Sequence, residues 1–371
     1  MSGIRRLGVA RALVDGELVE GDVEVDAEGV IRAVGVGSGS GSHTAVPGLV
    51  DLQVNGVAGI DLRAAGREGY ADAAEVLARH GATAVQPTFY SQPLAAHRAS
   101  LELLGDVLAD PPPGCRMLPA HLEGPFLSPV RRGAHRVEDL LAPDLEALEG
   151  LLRAGPVGCM TLAPELDGAL DLIAHLVGAG VVASVGHTDA TAEQVHAAVA
   201  AGARHVTHCW NAQRPPLARD AGPIGVALSE PLLTVGLIAD LVHVSPEVVR
   251  MTAAAAAGRL AATTDSVQYA ALEPSEWPDG PDEPRWVDGA PQLADGTIAG
   301  GVALPDDCLR NLVSVGMGLP EAVDACGGAQ RRVLGLPPVR VSPGERAELV
   351  VLDEDLRPVR TLIGAAVFEP A

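Results

Sequence analysis

The chain has 371 residues, 47% of them apolar, and a net charge of -22, enough apolar material for a large α/β barrel or for two domains. That acidity sets aside nucleic acid and anionic membrane as partners, because both require clustered positive charge. No apolar run approaches the roughly 20 residues needed to cross a bilayer, and the opening MSGIRRLGVA lacks the apolar core of a signal peptide, so the expected location is the cytoplasm. Cys115, Cys159, Cys209, Cys308 and Cys326 are odd in number and widely spaced, which predicts buried thiols and neither a disulfide framework nor a zinc ribbon. The chain contains no lysine. Schiff-base chemistry, pyridoxal catalysis, Walker loops and a carboxylated lysine bridging two metals are thereby excluded.

In chain order, residues 7–46 read as short strands separated by the turn pairs Asp15-Gly16, Gly21-Asp22 and Glu28-Gly29, the texture of a β-meander. The GSGSGS run at 37–42 is loop by composition. From residue 339 the strand texture returns, with two or three further strands. Residues 1–46 and 338–371 are therefore expected to form one small β-sandwich domain. Between them, over residues 47–337, short apolar strands alternate with amphipathic helices. Eight strands are expected, near 49–54, 82–88, 116–121, 157–162, 181–185, 205–207, 233–238 and 260–264, which fits a (β/α)8 barrel of roughly 290 residues. A doubly wound sheet would have fewer repeats and a glycine-rich phosphate loop after its first strand, and no such loop is present. The clearest unit is VVASVGHTDATAEQVHAAVAAGARHVTHCWN at 181–211. It has a strand, a capping-box helix start at Thr191 and Gln194, an apolar face of Val195, Ala198 and Val199, a C-cap at Gly202, and a second strand. Residues 272–295, rich in Pro, Trp, Asp and Glu, read as a loop or hairpin inserted over the eighth strand.

Polar residues close these strands in a consistent way. Gln53 and Asn55 follow the first strand, Glu123 the third, His187 the fifth, His208 the sixth, His243 the seventh and Asp265 the eighth. Parallel strands bring all of them to one rim, the rim where barrels assemble active sites. Each has an ordinary structural explanation: Glu123 as a turn acceptor before Gly124-Pro125, Asp265 as a helix cap, His243 as a surface residue before a helix at Ser245. Together they make a different pattern. Glu123, His187 and His208 offer one carboxylate and two imidazoles to a divalent ion, leaving a coordination position open for catalysis. Asp265 can move a proton from an activated water to a leaving amine.

These motifs resemble the N-acetylglucosamine-6-phosphate deacetylases of the amidohydrolase superfamily, over nearly the whole chain. The matching segments are PGLVDLQVNG (47–56), HLEGPFLSPVRRGAH (121–135), GHTDAT (186–191), THCWNA (207–212), GLIADLVHV (236–244) and TTDS (263–266). The resemblance implies a TIM barrel with a β domain from both chain ends, metal binding by Glu123, His187 and His208, and Asp265 as general acid/base. It implies that His135 polarises the acetamide carbonyl, that His243 contacts a sugar hydroxyl, and that Asn211 and the Ala212 backbone hold the phosphate. Arg219 is implied to reach the phosphate of a neighbouring subunit, hence a homodimer. Many amidohydrolases carry a His-x-His pair after the first strand; here Gln53 and Asn55 stand there, and amides are weak zinc ligands. One divalent ion per subunit, zinc, is therefore expected.

The implied reaction is hydrolysis of the N-acetyl group of N-acetylglucosamine 6-phosphate to glucosamine 6-phosphate and acetate. Three departures bear on the substrate. Paired histidines before the phosphate arginine are reduced to Leu217-Ala218, the following Glu-Pro is Asp220-Ala221, and Ala-Gly-Ser near the insertion is Ala299-Gly300-Gly301. They keep open a related sugar, such as N-acetylgalactosamine 6-phosphate or an unphosphorylated N-acetylated intermediate.

Overall fold

The computed structural model describes residues 3–37, 41–278, 280 and 283–370. Residues 38–40 of the glycine-serine run, and 279, 281 and 282 of the insertion, lie outside the described residues. Eight parallel strands form a nearly closed barrel in sequence order: β1 Leu49–Val54, β2 Ala82–Tyr90, β3 Ala120–Glu123, β4 Val157–Leu162, β5 Val182–Val185, β6 His205–Val206, β7 Thr234–Ile238 and β8 Leu260–Thr263. A helix follows each strand: α1 Arg67–Arg79, α2 Leu94–Ala109, α3 Leu145–Ala154, α4 Ala169–Gly178, α5 Ala192–Ala201, α6 Gly222–Ser229, α7 Pro246–Ala255 and α8 Pro305–Ser314. The expected strands agree with these except the third, which begins at Ala120 rather than 116. Pro119 has no amide hydrogen for the ladder, so Arg116–Met117 is a separate short strand paired only with β2.

The helices form for local reasons and stay for tertiary ones. On α5 the Thr191 side chain accepts from Gln194 N while Gln194 caps back, and Gly202 ends the helix at φ 114°. Val195, Ala198 and Val199 on its inner face are buried, as are Leu148 and Leu151 of α3 and Leu172, Ile173 and Leu176 of α4. Each large apolar side chain so buried contributes about 1.5–3 kcal/mol. The outward-facing Leu122, Met160 and Val185 of β3, β4 and β5 share that core.

The sheet closes between β8 and β1 through a buried carboxylate. Asp51 accepts hydrogen bonds from Gln53 N (3.0 Å), Thr264 N (3.0 Å), and the hydroxyls of Thr263 (2.5 Å) and Thr264 (2.6 Å). Burial raises its pKa and those donors oppose the rise. Asn55 N then donates to Ser266 O at 2.7 Å.

Two further sheets lie outside the barrel, the larger of which joins both chain ends. Strands at Ala366–Phe368, Pro358–Ile363, Glu348–Leu352, Thr44–Pro47, Arg11–Val14 and Glu17–Glu20 make a six-stranded sheet, and Arg5–Arg6, Asp22–Val25 and Ile31–Val36 a three-stranded one. Leu7, Val23, Val25, Ile31, Ala45, Leu349 and Val351 fill the core between them. The insertion contains a hairpin of Arg285–Val287 and Ala290–Gln292. Among the described residues, no helix is long and apolar enough to cross a membrane.

Candidate metal centre and active site

Because all eight strands run the same way, their carboxyl ends deliver side chains to one mouth. Glu123 is the last residue of β3, while His187 and His208 follow β5 and β6. His187, His208 and Asp265 all sit in left-handed backbone, at φ 46°, 29° and 49°. Such strain in non-glycine residues persists where surrounding structure over-determines it, characteristically at functional sites.

Three ligand atoms converge. His208 Nε2 lies 2.8 Å and His187 Nε2 3.3 Å from Glu123 Oε1, and the two imidazole nitrogens are 3.1 Å apart. Ligands on a tetrahedral ion with bonds of about 2.0–2.1 Å stand roughly 3.3 Å from one another. His187 Nδ1 donates to Arg131 O at 2.9 Å, which turns the Nε2 lone pair toward the cluster, the usual outer-shell arrangement of a metal-binding histidine. A carboxylate oxygen and two imidazole nitrogens, one of them with its lone pair turned inward, are all atoms that bind a cation. The donor set therefore fits a divalent ion. His208 Nδ1 is buried without a partner among the described residues.

His135 is a fourth neighbour, its Nε2 3.7 Å from Glu123 Oε2. Glu123, His135 and His187 also lie close enough together to hold an ion, but Ser91 N donates to His135 Nδ1 at 3.2 Å. A neutral ring then carries its hydrogen on Nε2, making that atom a donor. Burial lowers the His135 pKa to about 3, so the ring is neutral at pH 7. Glu123 is buried, which alone would raise its pKa, yet the hydrogen bonds and charge of His187 and His208 hold it well below the usual range.

The amides after β1 do not present ligand oxygens to this cluster. Gln53 Nε2 donates to Glu123 Oε1 at 2.8 Å, and Asn55 Nδ2 donates to Asp265 Oδ1 at 2.8 Å. Asp265 is pushed up to about 7, first by burial and then by the Glu123 charge. It caps no helix, and its carbonyl instead accepts from Gly301 N at 2.7 Å. His243, ahead of the Ser245 N-cap of α7, is no surface residue: its side chain is 6% exposed and Nδ1 donates to Asp240 Oδ2 at 2.6 Å.

The segment 211–220, which starts where Asn211 N donates to His208 O at 3.0 Å, is built differently. Asn211 Nδ2 is buried without a partner among the described residues, and Ala212, at φ 49°, accepts from Thr188 N at 3.1 Å. Arg219 lies exposed on a turn closed by the Leu217–Asp220 bridge. It makes no hydrogen bond or ion pair among the described residues. Its neighbour Asp220 is engaged by Arg214 instead, at 2.9 Å.

Sequence reading missed the partners that orient these groups: Asp240, Ser91, Arg131 and Asp51. Only Asp240 carried a local signal, three residues before His243; the others depend on contacts between distant segments.

No family model matches the chain. It is 33% identical over 340 residues to N-acetylglucosamine-6-phosphate deacetylase of Mus musculus, covering 87% of this chain and 83% of that one. It is 31% identical over 315 residues to N-acetylgalactosamine-6-phosphate deacetylase of Escherichia coli O157:H7, covering 84% of both. A solved mutant N-acetyl-D-glucosamine-6-phosphate deacetylase from Mycobacterium smegmatis, in complex with N-acetyl-D-glucosamine-6-phosphate, superposes with a TM-score of 0.90 at 33% identity over 99% of both chains. The Thermotoga maritima enzyme gives 0.89 at 28% identity. With the barrel, the buried Glu-His-His cluster and this likeness along most of its length, the chain belongs to the N-acetylglucosamine-6-phosphate deacetylase family of amidohydrolases.

Proposed function

We propose that the protein hydrolyses the N-acetyl group of N-acetylglucosamine 6-phosphate, releasing acetate and glucosamine 6-phosphate. The observation that carries this reading is the convergence of Glu123 Oε1, His187 Nε2 and His208 Nε2 within 3.3 Å beside Asp265, whose pKa burial pushes up to about 7. Those three residues would hold one zinc ion per subunit, and the amide nitrogens of Gln53 and Asn55 at the second position support a single ion. Such an ion supplies water activation and polarisation of an acyl oxygen.

The remaining chemistry falls to side chains. His135 Nε2–H donates to the acetamide oxygen, where negative charge develops. Asp265 accepts a proton from the attacking water and returns it to the amide nitrogen as the C–N bond breaks, so one carboxyl group acts as base and then acid. A pKa near neutrality suits both halves of that cycle. His243, held by Asp240 through Nδ1, leaves Nε2 to accept from a sugar hydroxyl. Asn211 Nδ2 and the Ala212 backbone supply neutral donors to the phosphate, and Arg219 a charged one.

The exposed Arg219, without a partner among the described residues, and the 66% exposed Leu217 on the same turn support a homodimer in which Arg219 reaches the neighbouring site. All five cysteines are free and buried, in keeping with a reducing, cytoplasmic setting. The likeness to an N-acetylgalactosamine-6-phosphate deacetylase, with Leu217-Ala218 in the phosphate loop, keeps that epimer and an unphosphorylated sugar as alternative substrates. Acetate release from the two phosphorylated epimers and from N-acetylglucosamine tests all three. Fastest turnover on N-acetylglucosamine 6-phosphate is expected, and a preference for the unphosphorylated sugar would overturn the reading. Chelation should abolish activity, with one equivalent of zinc per subunit restoring it. Two tightly bound ions would contradict the single-ion assignment.

A further inference from the structure

Beneath the three candidate ligands, the barrel interior is polar. Strand pairing sets Glu123 beside Thr161, Thr161 beside Ser184, and Ser184 beside His205, so these side chains share one face of neighbouring strands. His121 and Thr207, two positions along their own segments, join the same face. His121, Thr161, Ser184, His205 and Thr207 are all buried.

They form one continuous chain. His121 Nδ1 lies 3.2 Å from Leu52 O and its Nε2 2.6 Å from Thr161 Oγ1; Thr161 Oγ1 is 2.6 Å from Thr207 Oγ1, which is 2.6 Å from Ser184 Oγ, itself 2.9 Å from His205 Nδ1. The directions are forced. Leu52 O can only accept, so His121 donates to it through Nδ1 and accepts at Nε2 from Thr161. Thr161 must then accept from Thr207, Thr207 from Ser184, and Ser184 from His205 Nδ1–H. With neutral rings each side chain has a single hydrogen to give, and every one is committed. The count leaves His205 Nε2 as a bare acceptor, and that atom is indeed buried without a partner among the described residues.

This row supports the ligands directly. A Cβ on Gly186 would lie 2.7 Å from Thr161 Cγ2 and 2.9 Å from Thr207 Cβ, so the backbone entering His187 rests on the two threonines. Thr207 immediately precedes His208, and His121 stands two residues before Glu123. Strand β6 spans only His205–Val206, and its ladder to β5 consists of Ser184–His205 and Val185–Val206. Backbone bonds from Thr207 N to Val185 O (2.9 Å) and from Cys209 N to Gly236 O (2.7 Å) flank His208, and the side-chain row adds a second tie from this short strand to β4 and β5.

We propose that the row His121–Thr161–Thr207–Ser184–His205 is the positioning layer of the metal centre, with Thr207 as its central link. It fixes the relative offsets of β3, β5 and β6, so that Glu123, His187 and His208 keep their separations. The inference rests on reading those three as the metal ligands. Thr207 is a positioning residue and touches no reacting atom.

Thr207→Val preserves shape but removes the donor to Thr161 and the acceptor of the Ser184 hydroxyl, which cuts the row in two. Chelator competition should show zinc held about 10- to 100-fold more weakly, the scale typical of lost outer-shell support. Thr207→Ser should restore affinity to within about threefold of the unsubstituted protein, well inside that range. The visible absorption of the cobalt-loaded protein should change in Thr207→Val and revert in Thr207→Ser, while the melting temperature of the metal-free protein stays within about 4 °C. Unchanged zinc affinity in Thr207→Val, or failure of Thr207→Ser to restore it, overturns the positioning layer. If Thr207→Val does not fold, Ser184→Ala is read the same way, because it removes the acceptor of His205 Nδ1–H. An unsubstituted protein that binds no zinc would instead overturn the deacetylase reading itself.

Discussion

The cluster around Glu123 and the segment 211–220 beside it are held in opposite ways. On one side Glu123, His187, His135 and Asp265 each have an orienting partner in the chain: Gln53, Arg131 O, Ser91 N and Asn55. On the other, Arg219 stands exposed with no partner among the described residues, and Asn211 Nδ2 is buried with none. Preorganised groups act without reorganising at the moment of reaction, whereas unpartnered donors wait for a ligand to satisfy them. In the proposed mechanism the groups that break the bond come from one chain, with Nδ1 of the ligand His208 left unpartnered among the described residues, and recognition of the phosphate is left to groups that a substrate or a second subunit would engage. Substitutions on the two sides should separate in kcat and KM.

The largest effect is expected from Asp265→Asn, which should lower kcat by about 10²- to 10⁴-fold with zinc content and KM little changed. Asp265 must be deprotonated to accept the proton from water, so activity should fall as pH drops through its pKa, which is about 7 without an ion. A bound cation favours the carboxylate and moves that acid limb below 7. Retention of more than about a tenth of wild-type turnover, outside the usual range for such a group, would remove Asp265 from the role.

Arg219→Ala should act on the other side alone. Loss of a charge-assisted hydrogen bond worth about 1.5–3 kcal/mol raises KM for the phosphorylated sugar roughly 10- to 100-fold, with little effect on its unphosphorylated counterpart. Mixing Arg219→Ala and Asp265→Asn subunits should regenerate one intact site per heterodimer if the arginine acts across an interface. Hybrids without recovered activity would place it in its own subunit's site.

Asp240→Asn tests whether His243 belongs with the preorganised groups. An amide can still accept from Nδ1–H but holds the ring less firmly, and a KM increase of about tenfold is expected for loss of a charged hydrogen bond. Steady-state kinetics showing a fall in kcat alone would move His243 into the bond-breaking set. The smallest change should come from Asp220→Asn. Its pair with Arg214 is about one-third exposed on each side, and such pairs contribute at most about 1 kcal/mol. The KM shift should therefore stay within roughly fivefold.

The repeating strand-helix alternation was legible in the chain, as were the capping box at Thr191, the C-cap at Gly202 and the hairpin turn at Asp15-Gly16. Periodicity and turn chemistry are written in neighbouring residues. The third strand was misplaced because an apolar run around 116–121 looks like a strand until Pro119 interrupts its ladder. At the site, Glu123, His187, His208 and Asp265 stood out because each closes a strand, and strand ends in a parallel barrel share one rim. Asp51 did not stand out, since one carboxylate inside an apolar strand signals nothing until Thr263 and Thr264, more than two hundred residues away, donate to it.

By itself the sequence determined the period of the elements, the direction of the strands and which polar residues would reach the mouth. All of these follow from spacing along one segment. Only the tertiary structure decided which atoms of those residues face one another. It turned the Gln53 and Asn55 amides toward carboxylates, gave His135 its hydrogen on Nε2, and joined His121 to His205 through three hydroxyls. Hydrogen-bond direction and tautomer depend on partners brought together by folding, and no local pattern encodes the angle at which two distant strands meet.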